Sequence, residues 1–597
     1  MEIKPKENWD LDRLYPGGKE SEDLHTLITT LQHDLPRFKK RIRSIANDQS
    51  VEEIVTLLDG IQQCKLAAFQ LDEYLICLYS VNQDDPDITK LINESATIKA
   101  GMDALLLELD AELANLPQQQ WSQLLNHQQV KAYNFYLTEH KQQLLKKLPF
   151  EKEKIITELS VNGFVAWEDY YEQMMGDLRF LIEKDGKEEE ISLGQAMSYG
   201  VFSNNRSLRQ KTSRTIVDGL KKRSESFATV LNRIYGFRLD VYKQRGWTNV
   251  LQESLQANRI NEQSVQAMIS AIKENLDIAY QFFNRKAKVM KLDRLAWYDT
   301  EAPSFPTSTQ VTYSDARNII VTQFYQFSEK LGEFAERAFD EGWIEAENRK
   351  GKMHGGFCAY LPLHKESRIF LTFTDSYQDV VTIAHELGHA YHNHILRDEP
   401  AFTQEVSTSV AETASTFAEN LVLDAAIAEA SSDDEKLALL EMKILNGLKY
   451  QVMVPAMFEF EQKLYKLRQQ GPITGKEISA LMDSMLKDVY GDDLAESNPY
   501  LWMTIPQFFS TKLAFYNIPY TIGYLFSNGI YALAKEHGTK FVEQYDALLK
   551  NSGRMTVEDL VSTYLEKDIT EKEFWETSLQ PTIAAIDEYL RLTEKMI

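Results

Sequence analysis

Helical periodicity runs through almost the whole chain, and it limits the fold more than any other feature. From Val51 to Leu116 apolar residues recur at the three- and four-residue spacings of amphipathic helices. Asn261 is predicted to cap the N-terminus of a further long helical stretch. From Phe373 almost to the last residue the pattern is helical again. The fold class is therefore predicted to be mostly α.

Strand signals are confined to two segments. Leu178 to Leu193 has two alternating runs around Asp185-Gly186, which is a hairpin signature. The segment SRIFLTF, Ser367 to Phe373, is rich in β-branched and aromatic residues and follows the loop GKMHGGFC. We expect one small sheet from this second segment.

Composition excludes several classes of protein. The net charge of −24 disfavours nucleic-acid partners and anionic membrane surfaces, because both usually require a basic face. No uninterrupted apolar run approaches 18 residues, so no membrane span is predicted. Three cysteines, Cys64, Cys77 and Cys358, argue against a disulfide framework, and the first residues lack a signal pattern. A cytoplasmic location is expected.

The segment VVTIAHELGHAYHNH contains a His-Glu-x-x-His pattern. Residues four apart share one helix face, so His385 and His389 are predicted to bind one metal ion. Glu386 lies about 100° further round the helix, poorly placed as a ligand but able to reach a metal-bound water. Catalytic zinc uses three protein ligands and an open position for water, whose pKa it lowers. Glu386 is therefore the predicted base.

The third ligand is less certain from the sequence. His392 and Ile395 stand where a metzincin would have glycine and histidine, which excludes that class. The segment VSTSVAETASTFAENL favours Glu412, with Glu405 as an alternative. Glu419 is interpreted either as a hydrogen-bond partner of a ligand imidazole or as a buried salt-bridge partner. His392 is interpreted as a packing residue rather than a ligand.

Several blocks resemble one known family. HELGHA followed by AETASTFAEN, together with WDLDRLYPG, LAWYDTEAP, GGFCAYLPLHKESRIFLTF and FYNIPYTIGYLFS, resembles the oligoendopeptidase F branch of the thimet oligopeptidase family. The resemblance implies a large multi-helical, clam-like fold around a deep channel, with a small β-sheet next to a zinc-binding helix. It also implies one zinc ion per chain, Glu412 as ligand, and cleavage of short unstructured peptides at internal bonds.

Further residues follow from the resemblance. SRIFLTF would be an edge strand that binds the substrate backbone, with Gly355, Gly356 and Phe370 as substrate contacts. Tyr520 and then Tyr516 would donate a hydrogen bond to the oxyanion, and Tyr524 would contact substrate, although tyrosines spaced by four also pack on one helix face. Gln507 and Phe509 stand where the branch usually has histidine and tyrosine. Gln507 can still donate a hydrogen bond to substrate.

The favoured hypothesis is a zinc-dependent oligoendopeptidase with an N-terminal helical region over residues 1–195 and a catalytic region over residues 196–597. One alternative is a peptide-binding protein with vestigial catalysis, motivated by Gln507 and Phe509. Another is a zinc exopeptidase, which would need a group that reads a peptide terminus. The ligand set would also bind cobalt or manganese.

Overall fold

The computed structural model describes residues 5–45, 49–184, 186–305, 310–491 and 493–597. The helices in chain order are α1 (Glu22–Ile42), α2 (Val51–Val81), α3 (Pro86–Ala114), α4 (Gln118–Asn126), α5 (Asn134–Leu145), α6 (Phe150–Ser160), α7 (Ala166–Gly176), α8 (Leu193–Ala196), α9 (Arg206–Lys221), α10 (Ser224–Arg245), α11 (Gln252–Ala257), α12 (Glu262–Glu274), α13 (Leu276–Val289), α14 (Tyr313–Phe327), α15 (Glu329–Asp340), α16 (Tyr377–Leu396), α17 (Thr408–Ala411), α18 (Thr413–Glu429), α19 (Asp433–Leu448), α20 (Val454–Arg468), α21 (Gly475–Tyr490), α22 (Ile518–His537), α23 (Val542–Asn551), α24 (Val557–Leu565) and α25 (Lys572–Thr593).

Five short strands complete the regular structure: β1 (Phe180–Lys184), β2 (Lys187–Ile191), β3 (Ile344–Glu345), β4 (Phe357–Leu361) and β5 (Glu366–Phe370). The protein is 71% helical, which confirms the predicted mostly α class. Within the described ranges, no helix combines the length and the apolar character that a membrane span requires.

The chain divides into two compact units. The first contains Met1–Lys147, Ser308–Ala425 and Ile530–Lys567, and the second contains Leu148–Thr307, Ala426–Gly529 and Asp568–Ile597. Both units take up segments from either side of residue 195, so they do not coincide with the division predicted there. That division stays a prediction about regions of the chain.

The core of the first unit begins with its five N-terminal helices. Apolar residues of α1 to α5 form one buried cluster, to which Leu361 of β4 and Phe402 also belong. Local signals start these helices. Ser50 and Glu53 form a reciprocal capping box at α2, and Pro86 occupies the first turn of α3.

The first unit also contains a three-stranded sheet in the order β3-β5-β4. The central strand β5 pairs in parallel with β3 and antiparallel with β4. The prediction that SRIFLTF forms an edge strand is therefore wrong, because both sides of Glu366–Phe370 are already paired. The two edge strands of this sheet are β3 and β4. Since α16 packs on β4 and β5, the sheet does lie next to the helix of the His-Glu-x-x-His pattern.

In the second unit, β1 and β2 form the hairpin predicted from the sequence. Phe180 pairs with Ile191 and Lys184 pairs with Lys187, which leaves a two-residue turn. Asp185 lies outside the described residues, whereas Gly186 has the positive φ of 77° that such a turn requires. Asn261 caps α12, as predicted, by accepting a hydrogen bond from the backbone of Ser264.

Candidate metal centre and active site

The helix α16 presents both histidines of the predicted metal site. Ser376 and Asp379 form a capping box at its first turn, and the Asp379 carboxylate also accepts the backbone N–H of Thr374 at 2.8 Å. Apolar residues of the helix pack into the first unit, among them Val380, Ile383, Ala384 and Leu387. The start and the rotation of α16 are thereby both fixed.

Three ligand atoms converge at one point. His385 Nε2 lies 3.2 Å from His389 Nε2, and each of these nitrogens lies 3.4 Å from Glu412 Oε2. Tetrahedral zinc with bonds of about 2.0–2.1 Å separates its ligand atoms by about 3.4 Å. The group His385, His389 and Glu412 therefore fits one zinc-sized ion. Each of these side chains is about a quarter to a third exposed, which leaves room for a fourth ligand.

Glu412 lies at the junction between α17 and α18 rather than inside a long helix. Its carboxylate accepts a hydrogen bond of 2.8 Å from Ser415 Oγ, a contact that the sequence did not single out. Burial alone would raise the pKa of Glu412, but the hydrogen bond from His389 and the nearby imidazoles lower it to about 2. The carboxylate is therefore ionised, as a metal ligand must be.

Gly388 lets α18 come close enough for Glu412 to reach the histidines. A Cβ atom on Gly388 would lie 2.3 Å from the Ala414 carbonyl oxygen and 2.5 Å from Ser415 Cα. These are backbone atoms and cannot rotate away. The only sequence signal for this contact is a glycine that faces a run of small residues.

Glu419 contacts the other side of His385. Its Oε1 lies 2.5 Å from His385 Nδ1, which leaves Nε2 of the same ring directed at Glu412. Burial would lower the pKa of His385, but the hydrogen bond and negative charge of Glu419 raise it to about 9 in the metal-free protein. Of the two interpretations from the sequence, the contact fits the hydrogen-bond partner of a ligand imidazole.

Glu386 is the most buried carboxylate of the group, with 7% of the residue exposed. Burial raises its pKa, and the neighbouring histidines only partly oppose this effect. A Cβ atom on Gly356 would lie 3.6 Å from Glu386 Oε1 and 3.2 Å from the Phe370 carbonyl oxygen. The loop before β4 therefore passes directly over this carboxylate.

The other candidate ligands have different partners. Glu405 forms an ion pair with Lys65, and the structure does not bring it into the metal group. His392 is buried, with Nε2 2.8 Å from Ser552 Oγ, and burial lowers its pKa to about 4. His392 is thus a packing residue in this structure, in agreement with the interpretation from the sequence.

Comparison with known families identifies the chain. The family model described as Peptidase family M3 matches residues 199–580, well over half of the sequence. The chain belongs to peptidase family M3. A second model, Oligopeptidase F, matches residues 112–180, and this confirms the predicted oligoendopeptidase F branch.

Relatives within family M3 are distant in sequence. Group B oligopeptidase PepB of Streptococcus agalactiae is 25% identical over 361 residues, which is 59% of this chain and 59% of that protein. An oligoendopeptidase F homolog of Lactococcus lactis is 21% identical over 548 residues, covering 88% of this chain and 87% of the relative. The first match thus spans less than two thirds of that relative.

A solved structure from Chlamydophila abortus superposes with a TM-score of 0.84 at 19% identity. The match covers 100% of this chain and 99% of the other. At this identity the comparison shows that the two chains share a fold.

The tyrosine block of this M3 chain lies in the second unit. Tyr516 and Tyr520 are half-buried, with ring centroids 6.1 Å apart in an edge-to-face arrangement. Tyr524 is only 5% exposed and stacks on Tyr450. Helix α22 begins at Ile518, so Pro519 occupies a first-turn position, where proline is tolerated.

A buried carboxylate binds the backbone of Phe515, the residue before Tyr516. Phe515 has φ 56°, a left-handed conformation that costs free energy in a residue with a side chain. Its backbone N–H donates a 3.0 Å hydrogen bond to Glu461 Oε1. Burial raises the pKa of Glu461 from 4.5 to about 7, although the Phe515 N–H and Arg238 act in the opposite direction.

Three further residues singled out in the sequence have distinct environments. Gln507 is half-buried, and its predicted contact with substrate stays a prediction. Phe509 is fully buried and stacks on Tyr171 with centroids 4.0 Å apart, so packing explains an apolar ring at this position. Phe370 is also fully buried, against Trp9 and Phe357, and its strand is paired on both sides, so the predicted substrate contact of this residue is wrong.

Replacement of Gly388 by alanine tests the helix contact. We expect zinc affinity to fall at least about tenfold and stability to fall by about 1–3 kcal/mol, since Ala414 and Ser415 must move away. Alanine otherwise favours helix, so a loss cannot come from helix propensity. Zinc titration and urea unfolding measure both effects. Gly163→Ala is the control, because its Cβ would meet nothing within 4 Å; equal effects of the two variants would contradict the assignment.

Glu461 predicts a pH-dependent stability. A carboxyl whose pKa is higher in the folded than in the unfolded chain stabilises the fold below its ordinary pKa, and this stability is lost as pH rises through about 7. Glu461→Gln should therefore be more stable than the wild type by about 1–3 kcal/mol at about pH 8, and the difference should shrink towards about pH 5. Urea midpoints at both pH values decide this. A difference independent of pH would contradict the burial argument.

Proposed function

We propose that this chain is a zinc-dependent oligoendopeptidase that hydrolyses internal bonds of short, unstructured peptides. The observation that carries the proposal is the convergence of His385, His389 and Glu412 at tetrahedral ligand spacing, with Glu386 beside them. Membership in peptidase family M3 and the names of its oligopeptidase relatives support peptides as the substrate class.

His385, His389 and Glu412 would hold the zinc ion. When bound, zinc supplies a Lewis acid that polarises a carbonyl group and lowers the pKa of water towards neutrality. Glu419 keeps the His385 ring in the orientation that presents Nε2 as the donor, because Nδ1 carries the proton of their hydrogen bond. Ser415 holds the Glu412 carboxylate in the same way.

Glu386 acts as general base and then as general acid. Its carboxylate accepts a proton from the attacking water and gives it to the leaving amine. The raised pKa fits both steps, because a carboxyl that holds a proton more strongly than usual is the better base and can still release the proton to an amine.

Other residues are proposed to bind the peptide and the developing charge. Tyr520, with Tyr516 as second choice, would donate a hydrogen bond to the oxyanion. Gly355 and Gly356, in the loop over Glu386, would contact the substrate backbone. The proposal includes substrate contacts of Gln507 and Tyr524. A cytoplasmic location remains part of the proposal.

Hydrolysis of an internally quenched peptide with both ends blocked tests this function. We expect the zinc-loaded protein to cut an internal bond, a chelator to abolish cleavage, and Glu386→Gln to lower kcat by about 10² to 10⁴ while zinc stays bound. Glu333→Gln on α15 is the matched control, since Glu333 is exposed and lies outside the metal group. Elemental analysis of the wild type and both variants checks one zinc ion per chain.

Two outcomes would contradict the proposal. If the zinc-loaded wild type binds peptides across a varied library but cleaves none, a peptide-binding protein is the better assignment. If cleavage requires an unblocked peptide terminus, the protein is an exopeptidase.

A further inference from the structure

A short exposed segment crosses the candidate catalytic base. His354, Gly355 and Gly356 are exposed, and we call these three residues the arch. Gly355 has φ 98°, which a residue with a side chain rarely adopts. The position of a Cβ on Gly356, 3.6 Å from Glu386 Oε1, places the end of the arch against the base.

The arch is held after its last residue by the sheet. Phe357 is the first residue of β4, and it pairs with Phe370 of β5. The two rings stack with centroids 5.1 Å apart. A Cβ on Gly356 would also lie 3.2 Å from the Phe370 carbonyl oxygen, so a larger residue would be crowded where the chain passes the end of β5.

The arch is held before its first residue by Lys352. This lysine is almost completely buried, with 2% of its side chain exposed. Its ammonium group donates hydrogen bonds of 2.8 Å to the carbonyl oxygens of Glu347 and Leu371, and lies 3.4 Å from Glu345 Oε1. Three donors thus meet three acceptors, which is the full capacity of a lysine ammonium group. The same nitrogen lies 4.9 Å from the Phe370 ring.

A buried cation of this kind is unusual for a surface loop. Burial lowers the pKa of Lys352, and the charge of Glu345 opposes that effect. Two further hydrogen bonds join the same loop to the end of α2. The backbone N–H of Met353 donates to the Ser80 carbonyl oxygen at 2.8 Å, and the side chain of Arg349 donates to the Val81 carbonyl oxygen at 3.0 Å.

We propose that Lys352 is a positioning residue that fixes the distance between the arch and the Glu386 carboxylate. In this way it sets how tightly a peptide backbone is bound beside the base. The hydrogen bond from Lys352 to Leu371, the residue after β5, anchors the chain just before the arch to this strand. The chain just after the arch is anchored to the same strand, because β4 pairs with β5. The arch is therefore a three-residue span with two fixed ends. This inference rests on the proposed function, because it assumes that the arch contacts the peptide.

The role of Lys352 is separable from general stability. A purely structural residue changes the fraction of folded enzyme, which lowers the measured kcat but leaves KM of the folded fraction unchanged. A residue that places a substrate-binding segment changes the binding of ground state and transition state together, and this raises KM with little change in kcat.

Kinetics of Lys352→Met with the quenched peptide test the inference. We expect KM to rise about tenfold and kcat to change by less than about threefold, since a displacement near 1 Å is enough to weaken contacts of this kind. Lys350→Met is the matched control, because Lys350 is exposed on the same loop. Lys352→Arg keeps the charge and several donors, and we expect it to fold and to raise KM by less than the methionine variant.

Hydrogen–deuterium exchange over residues 353–357 gives a readout that does not depend on activity. Faster exchange in Lys352→Met, but not in Lys350→Met, is the expected result. Unchanged exchange overturns the inference even if the wild type cleaves peptides, and so does faster exchange with an unchanged KM. If the zinc-loaded wild type cleaves nothing, the proposed function fails, and exchange still decides whether Lys352 holds the arch. Should Lys352→Met fail to fold, the same two measurements on Lys352→Arg decide.

Discussion

The distance between α16 and α18 at Gly388 is the constraint on which the metal group depends. Two ligand atoms come from α16 and the third from the junction before α18, and all three must lie about 3.4 Å apart for zinc. A side chain as small as a methyl group at Gly388 would overlap the backbone of Ala414. The identity of the residue just before His389 is therefore set by packing against the opposite helix as much as by metal chemistry.

Two carboxylates at the metal group, Glu412 and Glu386, have pKa values shifted in opposite directions, and their surroundings explain the difference. Glu412 faces two imidazoles and accepts the Ser415 hydroxyl, so its charge is stabilised and its pKa is low. Glu386 is buried on the side of the helix that faces the arch, so its pKa is raised. Differences in burial and hydrogen bonding thus give two glutamates different pKa values, so that Glu412 suits a metal ligand and Glu386 suits a base.

Features that depend on local periodicity could be predicted from the sequence. The four-residue spacing of His385 and His389 places them on one helix face whatever the rest of the fold does, and the hairpin around Gly186 follows from its turn. The order of strands in a sheet is not local, and the edge position that the family resemblance implies for Ser367 to Phe373 is wrong because β5 is central. Gly388 and Lys352 act on residues outside their own helix or loop, Ala414 and Leu371 among them, so no pattern around either residue reveals its role. The third ligand is partly predictable, because the sequence favours Glu412 over Glu405 without excluding either. The structure brings Glu412 to the histidines.

The three metal-ligand residues and their hydrogen-bond partners Ser415 and Glu419 come from one short stretch of chain. His385 and Glu419, its outermost members, are 34 residues apart. The next turn of α16 is different, since His392 contacts Ser552, 160 residues further along. Contacts at short sequence separation form with a small loss of chain entropy, and distant ones form later. A growing polypeptide can therefore bring the histidines and glutamates together before the segment that contains Ser552 has been synthesised, so that metal capture and completion of the core become separate events in time.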